Sequence, residues 1–455
     1  MSTEPGGLTL ITAIQPTPNG PLHLGHLSGP YVAADIAARA ARMAGKDVMI
    51  MGGLDSHQNY VLTRAEADGR TGAESCAAYS DLIRRGMAAA RLEYDLFLDP
   101  QADDSYRRGV AALFTELVDG KVIPVGETTL ATCADCARVV HHARVSGRCP
   151  HCGQGASGGT CEGCGSFLSA LDLLDATSTC HGTAVVPAPF RVPVLKLEEY
   201  RSRLAEHWAK SVMPPRVRTL LAGYLAAGLP EIPLAYPSDW GIAWDCDGVE
   251  LRIDVWAEMA LGYLYAVSRH LDADAPATLA ACVAGWAGVG EMWNFFGIDN
   301  AFYHLALIPA VLQAAGLRSG PRVGLVVNEF YLLDGMKFST SRGHAIWAHE
   351  LLATEDPAVV RAYLSWDRPD THGTDFTLAG FTAFKEYLGR ILAGVDASPL
   401  PAALADAELE RALRALRLET FDVAAAVRGA VNAHATRPER ARRVLDAVFG
   451  IGQPE

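Results

Sequence analysis

Apolar and polar positions follow two different periods along this chain, and the changes of period mark its organisation. Leu8 to Ala13 (LTLITA) is a short apolar run bounded by turn residues, which predicts a buried strand. Gln15-Pro16-Thr17-Pro18-Asn19-Gly20-Pro21 follows and predicts a loop. A helical pattern begins at His23 and runs to about Ala44, with Gly45 placed to cap it. Val48 to Met51 (VMIM) predicts a second buried strand. Strand, loop, helix and strand in this order predict parallel strands joined by a right-handed crossover. Helices are expected over about Ala73 to Ala90 and Asp104 to Asp119.

From about Lys121 to Ile232 the periodicity fades and glycines and cysteines accumulate, so this stretch reads as an inserted unit. A helical pattern resumes from Glu198 to Ala226. Sheet character returns around Trp240 to Trp244. Arg252 to Trp256 (RIDVW), Trp293 to Phe296 and Val323 to Val327 are expected as further core strands or strand ends. Phe376 to Glu455 is Ala- and Leu-rich and helical, with a loop at Ser398-Pro399. The expected divisions are residues 1–120, 121–232, 233–320, 321–375 and 376–455. The fold class is α/β.

Composition narrows the picture. Of 455 residues, 50% are hydrophobic and 20% charged, enough to bury a sizeable core. The 39 basic and 52 acidic residues give a net charge of −13, which disfavours a general polyanion binder. Met1 to Gly20 lacks the basic and apolar regions of a secretory signal. No apolar stretch reaches the roughly 18 residues needed to span a bilayer. A cytoplasmic location without a membrane partner is expected. Six of the ten cysteines fall between Cys133 and Cys164, and Cys180 follows, a clustering that favours metal over disulfides.

Three motifs carry chemistry. His23-Leu24-Gly25-His26 stands where the loop enters a helix. A helix start presents free N–H groups and a positive dipole end, which suit phosphate. Imidazoles spaced three apart share one face of the first turn and donate hydrogen bonds to phosphoryl oxygens. Gly25 leaves room for a flat base against the backbone. The plain alternative is two ordinary surface histidines. The second motif, Met336-Lys337-Phe338-Ser339-Thr340-Ser341-Arg342-Gly343, joins a lysine to small hydroxyl residues and a glycine. Such a loop either closes on a polyphosphate or is simply a polar surface loop. The third is the set of pairs Cys133/Cys136, Cys149/Cys152 and Cys161/Cys164. Cys149, Cys152, Cys161 and Cys164 have the spacing of one tetrahedral, structural Zn²⁺ site.

In this order the first two motifs resemble the HIGH and KMSKS signatures of class I aminoacyl-tRNA synthetases, and the chain is most similar to the methionyl-tRNA synthetase family. Asn19-Gly20, Asp55-Ser56-His57, Val255-Trp256, Gly262-Tyr263 and the cysteine pairs match in order, over roughly residues 8–380. The resemblance implies a Rossmann-like parallel sheet, an inserted domain with zinc knuckles and a C-terminal helical segment. It implies ATP held by His23, Gly25, His26, Lys337, Ser339 and Ser341, with Mg²⁺, and with His23, His26 and Lys337 catalytic. It also implies a second zinc, for which Cys133 and Cys136 supply half and Cys180 or His181 the remainder. For the amino acid it implies Asp55 on the ammonium, with Trp256 and His304 in the pocket.

Elsewhere the pocket departs from the family. Gln15 and Thr17 replace an apolar residue and a tyrosine, Met259 replaces an alanine and Asn300 an aliphatic residue. Polar groups left unpaired by a thioether cost about 1–3 kcal/mol each, so a small or polar amino acid is expected rather than methionine. Thr340 replaces the second lysine of the loop signature, and Tyr236 stands where the family has an arginine. The segment 376–455 has no tryptophan and balances 10 Lys and Arg against 10 Asp and Glu, so it looks like a truncated anticodon domain and makes tRNA binding doubtful. The expectation is therefore amino-acid adenylation followed by transfer to a small-molecule amine or hydroxylamine. In this respect the chain resembles the synthetase-like domains of hydrazine-forming enzymes, with a separate cupin enzyme as partner. The alternatives are a shortened methionyl-tRNA synthetase and a non-catalytic nucleotide- or amino-acid-binding module.

Overall fold

The computed structural model describes residues 7–338, 343–395 and 399–452. Its centre is a five-stranded parallel sheet. The strands are β1 (Leu8–Ala13), β2 (Val48–Gly53), β3 (Leu96–Leu98), β4 (Val289–Gly297) and β5 (Arg322–Asn328), in spatial order β5-β4-β1-β2-β3. Ile11 lies level with Ile50 on one side and Trp293 on the other. Side chains alternate between two buried faces. Leu10, Met49, Met51, Met292 and Phe296 enter one core, with helices Asp104–Asp119 and Val255–Leu271. Ile11, Ile50, Trp293 and Phe295 enter the other, with helices Val32–Met43, Pro357–Trp366 and the C-terminal helices. Strands covered on both faces read as continuous apolar runs, which is why LTLITA and VMIM were legible. The indole of Trp293 lies where a side chain on Gly324 would stand, so only glycine fits there.

The strand order reverses between β1 and β4, and the crevice beyond the carboxyl ends of such strands is where open α/β sheets take ligands. The His23 motif leaves β1 at this point.

The segment 121–232 builds small antiparallel sheets of its own. Val125–Cys133 pairs with Val185–Lys196, which also takes Glu231–Pro233. The helix expected from Glu198 to Ala226 is two helices, Arg201–Ala209 and Pro215–Ala227. Pro214 and Pro215 start the second helix, and Val212, in the connection between the two helices, bonds to the open edge of β5. Two strand expectations need correction. Trp240 to Trp244 does not rejoin the central sheet; Ala243–Cys246 pairs with Val249–Ile253 in a separate sheet. Trp256 is not a strand residue, because Asp254 caps a helix that starts at Val255.

Helices Leu378–Leu392, Ala402–Ala415, Val423–Ala433 and Pro438–Phe449 form the C-terminal bundle. Arg361 binds it to the sheet layer. Its guanidinium is fully buried, pairs with Asp35 at 2.5 Å, and donates to the carbonyls of Val448 (2.7 Å) and Ala90 (2.9 Å). Among the described residues no helix is long and apolar enough to cross a membrane.

Candidate functional site

His23 caps its own helix and does so reciprocally with His26. The His26 N–H donates to His23 Nδ1 (3.3 Å), and the His23 N–H donates to His26 Nδ1 (3.2 Å). Both Nδ1 atoms are thereby acceptors, so each neutral ring carries its proton on Nε2. Burial holds both imidazoles well below their ordinary pKa, His26 at about 4, so at neutral pH they are neutral N–H donors. The rings stack at 3.6 Å, and Phe338 stacks on His23 at 4.8 Å. Gly25 permits this, because a Cβ there would lie 3.1 Å from the His23 ring and 3.3 Å from Phe338. Just beyond, Leu27–Tyr31 widens into a π-turn holding Pro30, which has no N–H for the regular α ladder.

The fold thus unites two motifs more than 300 positions apart in the chain. Phe338 stacks on the first motif, and the strand after the loop pairs with it through Leu24 N–H to Ile346 O (3.1 Å) and Ala348 N–H to Leu22 O (2.8 Å). Lys337 lies over the Phe330 ring at 3.7 Å and forms an ion pair with Glu162. Glu162 stands between Cys161 and Cys164, so the tip of a cysteine knuckle holds this lysine. Asp299 senses both charges; burial raises its carboxyl, Glu162 adds to the rise and Lys337 opposes it. Ser339 and Ser341, with Thr340 and Arg342, lie outside the described residues.

Asp55 follows β2. Thr17 donates to its Oδ2 (3.1 Å), and its buried Oδ1 has no partner among the described residues. Burial, then Glu258, pushes its carboxyl up to about 7, while Thr17, His57 and His142 hold it down. Gln15 is buried with its Nε2 against Gly53, 3.1 Å from where a Cβ would stand. Trp256 stacks on Tyr303 at 3.7 Å, and His304 stacks on Phe296 at 4.1 Å. Trp256 Nε1, Tyr263 Oη and His304 Nε2 are buried without hydrogen-bond partners among the described residues. Trp256, Met259 and Tyr263 follow helical spacing on one face, and Met259 is buried in the same core as Trp256. Asn300 closes a short turn and is half-buried.

Sequence reasoning missed three contributors. His57 pairs with Glu258 at 2.8 Å; burial opposes its protonation, but Glu258 and Gln101 raise the imidazole above its ordinary value. His142 faces Asp254 at 3.4 Å. Phe338 supplies the ring on His23. The doublet His141-His142 was the visible signal, unused because it lies in the inserted segment.

Burial also lowers His304, 5% exposed, to about 3. The unfolded chain takes up a proton near pH 6.5 that the folded chain refuses, so stability is full above that pH and falls as pH drops. Going from pH 7 to 5 is expected to cost about 2 kcal/mol from this residue. Thermal midpoints of His304→Gln across that range should fall less steeply than those of the unaltered protein.

Two cysteine clusters have ligand atoms within 4.8 Å of one another. Cys149 and Cys164 sulfurs are 3.7 Å apart, as are those of Cys152 and Cys161. A tetrahedral ion with Zn–S bonds of about 2.3 Å sets sulfurs roughly 3.8 Å apart, so the donors fit. The second cluster is Cys133, Cys136, Cys180 and His181, with Cys133 Sγ 3.5 Å from His181 Nδ1. Ser178 donates to Cys133 (3.2 Å). Zinc bound at either cluster would cross-link its two knuckle turns.

A profile described as tRNA synthetases class I (M) matches residues 9–386. The chain belongs to this family. A methionine–tRNA ligase of Porphyromonas gingivalis is 32% identical over 396 residues, covering 82% of this chain and 55% of that protein. One from Pyrococcus furiosus is 29% identical over 401 residues, covering 84% and 55%. The chain spans about half the length of the curated relatives it matches. The crystal structure of Mycobacterium tuberculosis methionyl-tRNA synthetase bound by methionyl-adenylate shares the fold, with a TM-score of 0.68 and 17% identity, covering 97% of this chain and 88% of that one. His23 to His26 and Lys337 both lie within the matched residues.

Proposed function

We propose that this chain activates an amino acid with ATP, forming an aminoacyl-adenylate and releasing pyrophosphate. The observation that carries the reading is the union of His23, His26 and Lys337 at the sheet's switch point, together with a buried Asp55 whose Oδ1 is open. The ammonium binds Asp55 and, as a cation, draws its carboxyl down from about 7. The two Nε2–H donors hold phosphoryl oxygens. The substrate carboxylate attacks the α-phosphorus in line, and pyrophosphate leaves. Lys337 exchanges Glu162 for the departing charge. Mg²⁺ is expected to be held chiefly by nucleotide phosphates and water. Positioning and charge stabilisation suffice, so no side-chain nucleophile is required.

The amino acid is small or polar. The buried Gln15 and the changed side chains Thr17, Met259 and Asn300, where the resemblance departs from the methionyl family, support this reading. Each polar atom that a thioether leaves unpaired costs about 1–3 kcal/mol. For the acceptor, the C-terminal bundle supports a small-molecule amine or hydroxylamine. Its cations are engaged locally: Arg437 and Arg440 with Asp406, Arg411 with Glu408, Arg414 with Glu410, and Arg442 with Asp446. Phe381, Phe384 and Phe449 are buried, and Phe421 packs against Phe295. A cupin enzyme acting on the product belongs to the same reading. The second reading, a methionine–tRNA ligase, is favoured by the 32% identity to such an enzyme.

ATP–pyrophosphate exchange across the twenty amino acids, without tRNA, tests this. Exchange with one small or polar amino acid is expected. Exchange with methionine alone overturns the pocket argument in favour of the ligase, and silence with every amino acid favours a non-catalytic binding module.

A further inference from the structure

His142 belongs to neither signature nor to a metal cluster, yet it is held with unusual care. Its backbone takes φ +47°, a conformation that side-chain-bearing residues rarely adopt. Asn59 clamps both sides of it, donating to His141 O (2.8 Å) and accepting from the Ala143 N–H (3.0 Å). Next to it, the His141 ring stacks on Tyr236 at 4.2 Å.

The imidazole is oriented from the far side. Asp254 is 4% exposed, and its Oδ1 is committed to the helix start, accepting from Trp256 N–H at 3.0 Å and Ala257 N–H at 3.4 Å. Its Oδ2 faces His142 Nε2 at 3.4 Å. A carboxylate only accepts, so Nε2 carries the hydrogen and Nδ1 keeps its lone pair. That Nδ1 looks onto Gly159, 3.7 Å from where a Cβ would stand, and Tyr303 Oη lies 2.5 Å from the same point. Gly159 has φ +115° and no side chain, and the Tyr303 hydroxyl takes the space that a Cβ would fill. Tyr303 in turn stacks on Trp256, and Asp55 feels the charge of His142. Nδ1, with no hydrogen-bond partner among the described residues, therefore lies on the side of Tyr303 and Trp256, where the amino-acid pocket is expected.

We infer that His142 is the base that deprotonates the acceptor when the aminoacyl group is transferred, with Asp254 as its positioning residue. The inference rests on the adenylate reading above. The acceptor's nitrogen or oxygen forms a bond to the adenylate carbonyl carbon. The bond from that carbon to the phosphate oxygen breaks, and AMP leaves with the electron pair. The acceptor's proton goes to His142 Nδ1, and the imidazolium is stabilised by Asp254. No oxidant or further reactant is needed. The groups facing His142 are Asp254 at the helix start, Asp55 after β2, the neighbouring His141, and Tyr303.

The test uses the full chain loaded with the amino acid that gives the strongest exchange. The protein–adenylate complex is isolated and mixed with hydroxylamine, and hydroxamate and AMP are followed in a single turnover. Discharge should outpace that of the same adenylate free in solution. His142→Gln should lower it about 10²-fold, while exchange falls far less. Asp254→Asn keeps a helix-capping side chain and should also slow discharge with exchange largely retained. Discharge no faster than free adenylate, or unaltered in His142→Gln, overturns the inference. So does parallel loss of exchange and discharge, which would place His142 in the first step. Silence in exchange for the unaltered protein removes the adenylate reading itself, and this inference with it.

Discussion

His26→Ala is expected to lower ATP–pyrophosphate exchange by about 10²–10³-fold, the usual consequence of deleting one preorganised donor from a site of developing charge. The size follows from the geometry. His26 offers a neutral Nε2–H because its Nδ1 is tied to the His23 backbone and burial keeps the ring unprotonated. Removing the ring also frees the His23 N–H and unstacks one face of the pair. His26→Asn should recover part of the loss, since a carboxamide supplies both the acceptor for His23 N–H and a donor. Initial exchange rates at saturating ATP, with folding checked by circular dichroism, decide the matter. Retention of near-full exchange in His26→Ala would sink the assignment of the first signature.

Arg361→Met should be strongly destabilising, costing about 3 kcal/mol, because it takes one of two guanidinium partners from the buried carboxylate of Asp35 and leaves Arg39 (2.8 Å) as the other. It also removes donors from the carbonyls of Val448 and Ala90. Arg361→Lys should not restore stability, since one ammonium cannot reach three directions at once. Thermal midpoints read the stability. Proteolysis between helices Leu378–Leu392 and Ala402–Ala415 reads whether the bundle has come away. An unchanged midpoint in Arg361→Met would show that helix packing alone holds the bundle.

The sheet was legible because its strands are covered on both faces, so LTLITA and VMIM stand out as apolar runs. The helix Asp104–Asp119 was legible to the residue, because Asp103 caps it and its buried face repeats at helical spacing. RIDVW was misread because five mostly apolar residues cannot show that Asp254 turns a strand into a helix start. The cluster of Cys149, Cys152, Cys161 and Cys164 could be read from spacing, since a knuckle is a local structure, whereas Cys133, Cys136, Cys180 and His181 came from the resemblance. Gln15, Thr17 and Asp55 came from motif position, and the Thr17–Asp55 bond brings two of them together. Glu162 and His142 were out of reach. Each acts on residues more than 100 positions away, and nothing local in the sequence records such a pairing.

The contact between Glu162 and Lys337 has a consequence for what the loop will close on. The lysine is not idle before a nucleotide arrives; it already neutralises a carboxylate delivered by the knuckle. An incoming anion must therefore outbid one formal negative charge at short range. A singly charged anion gains little by the exchange, whereas a polyphosphate gains several favourable pairings at once. The ion pair sets a charge threshold, and the knuckle that carries Glu162 makes that threshold part of the architecture.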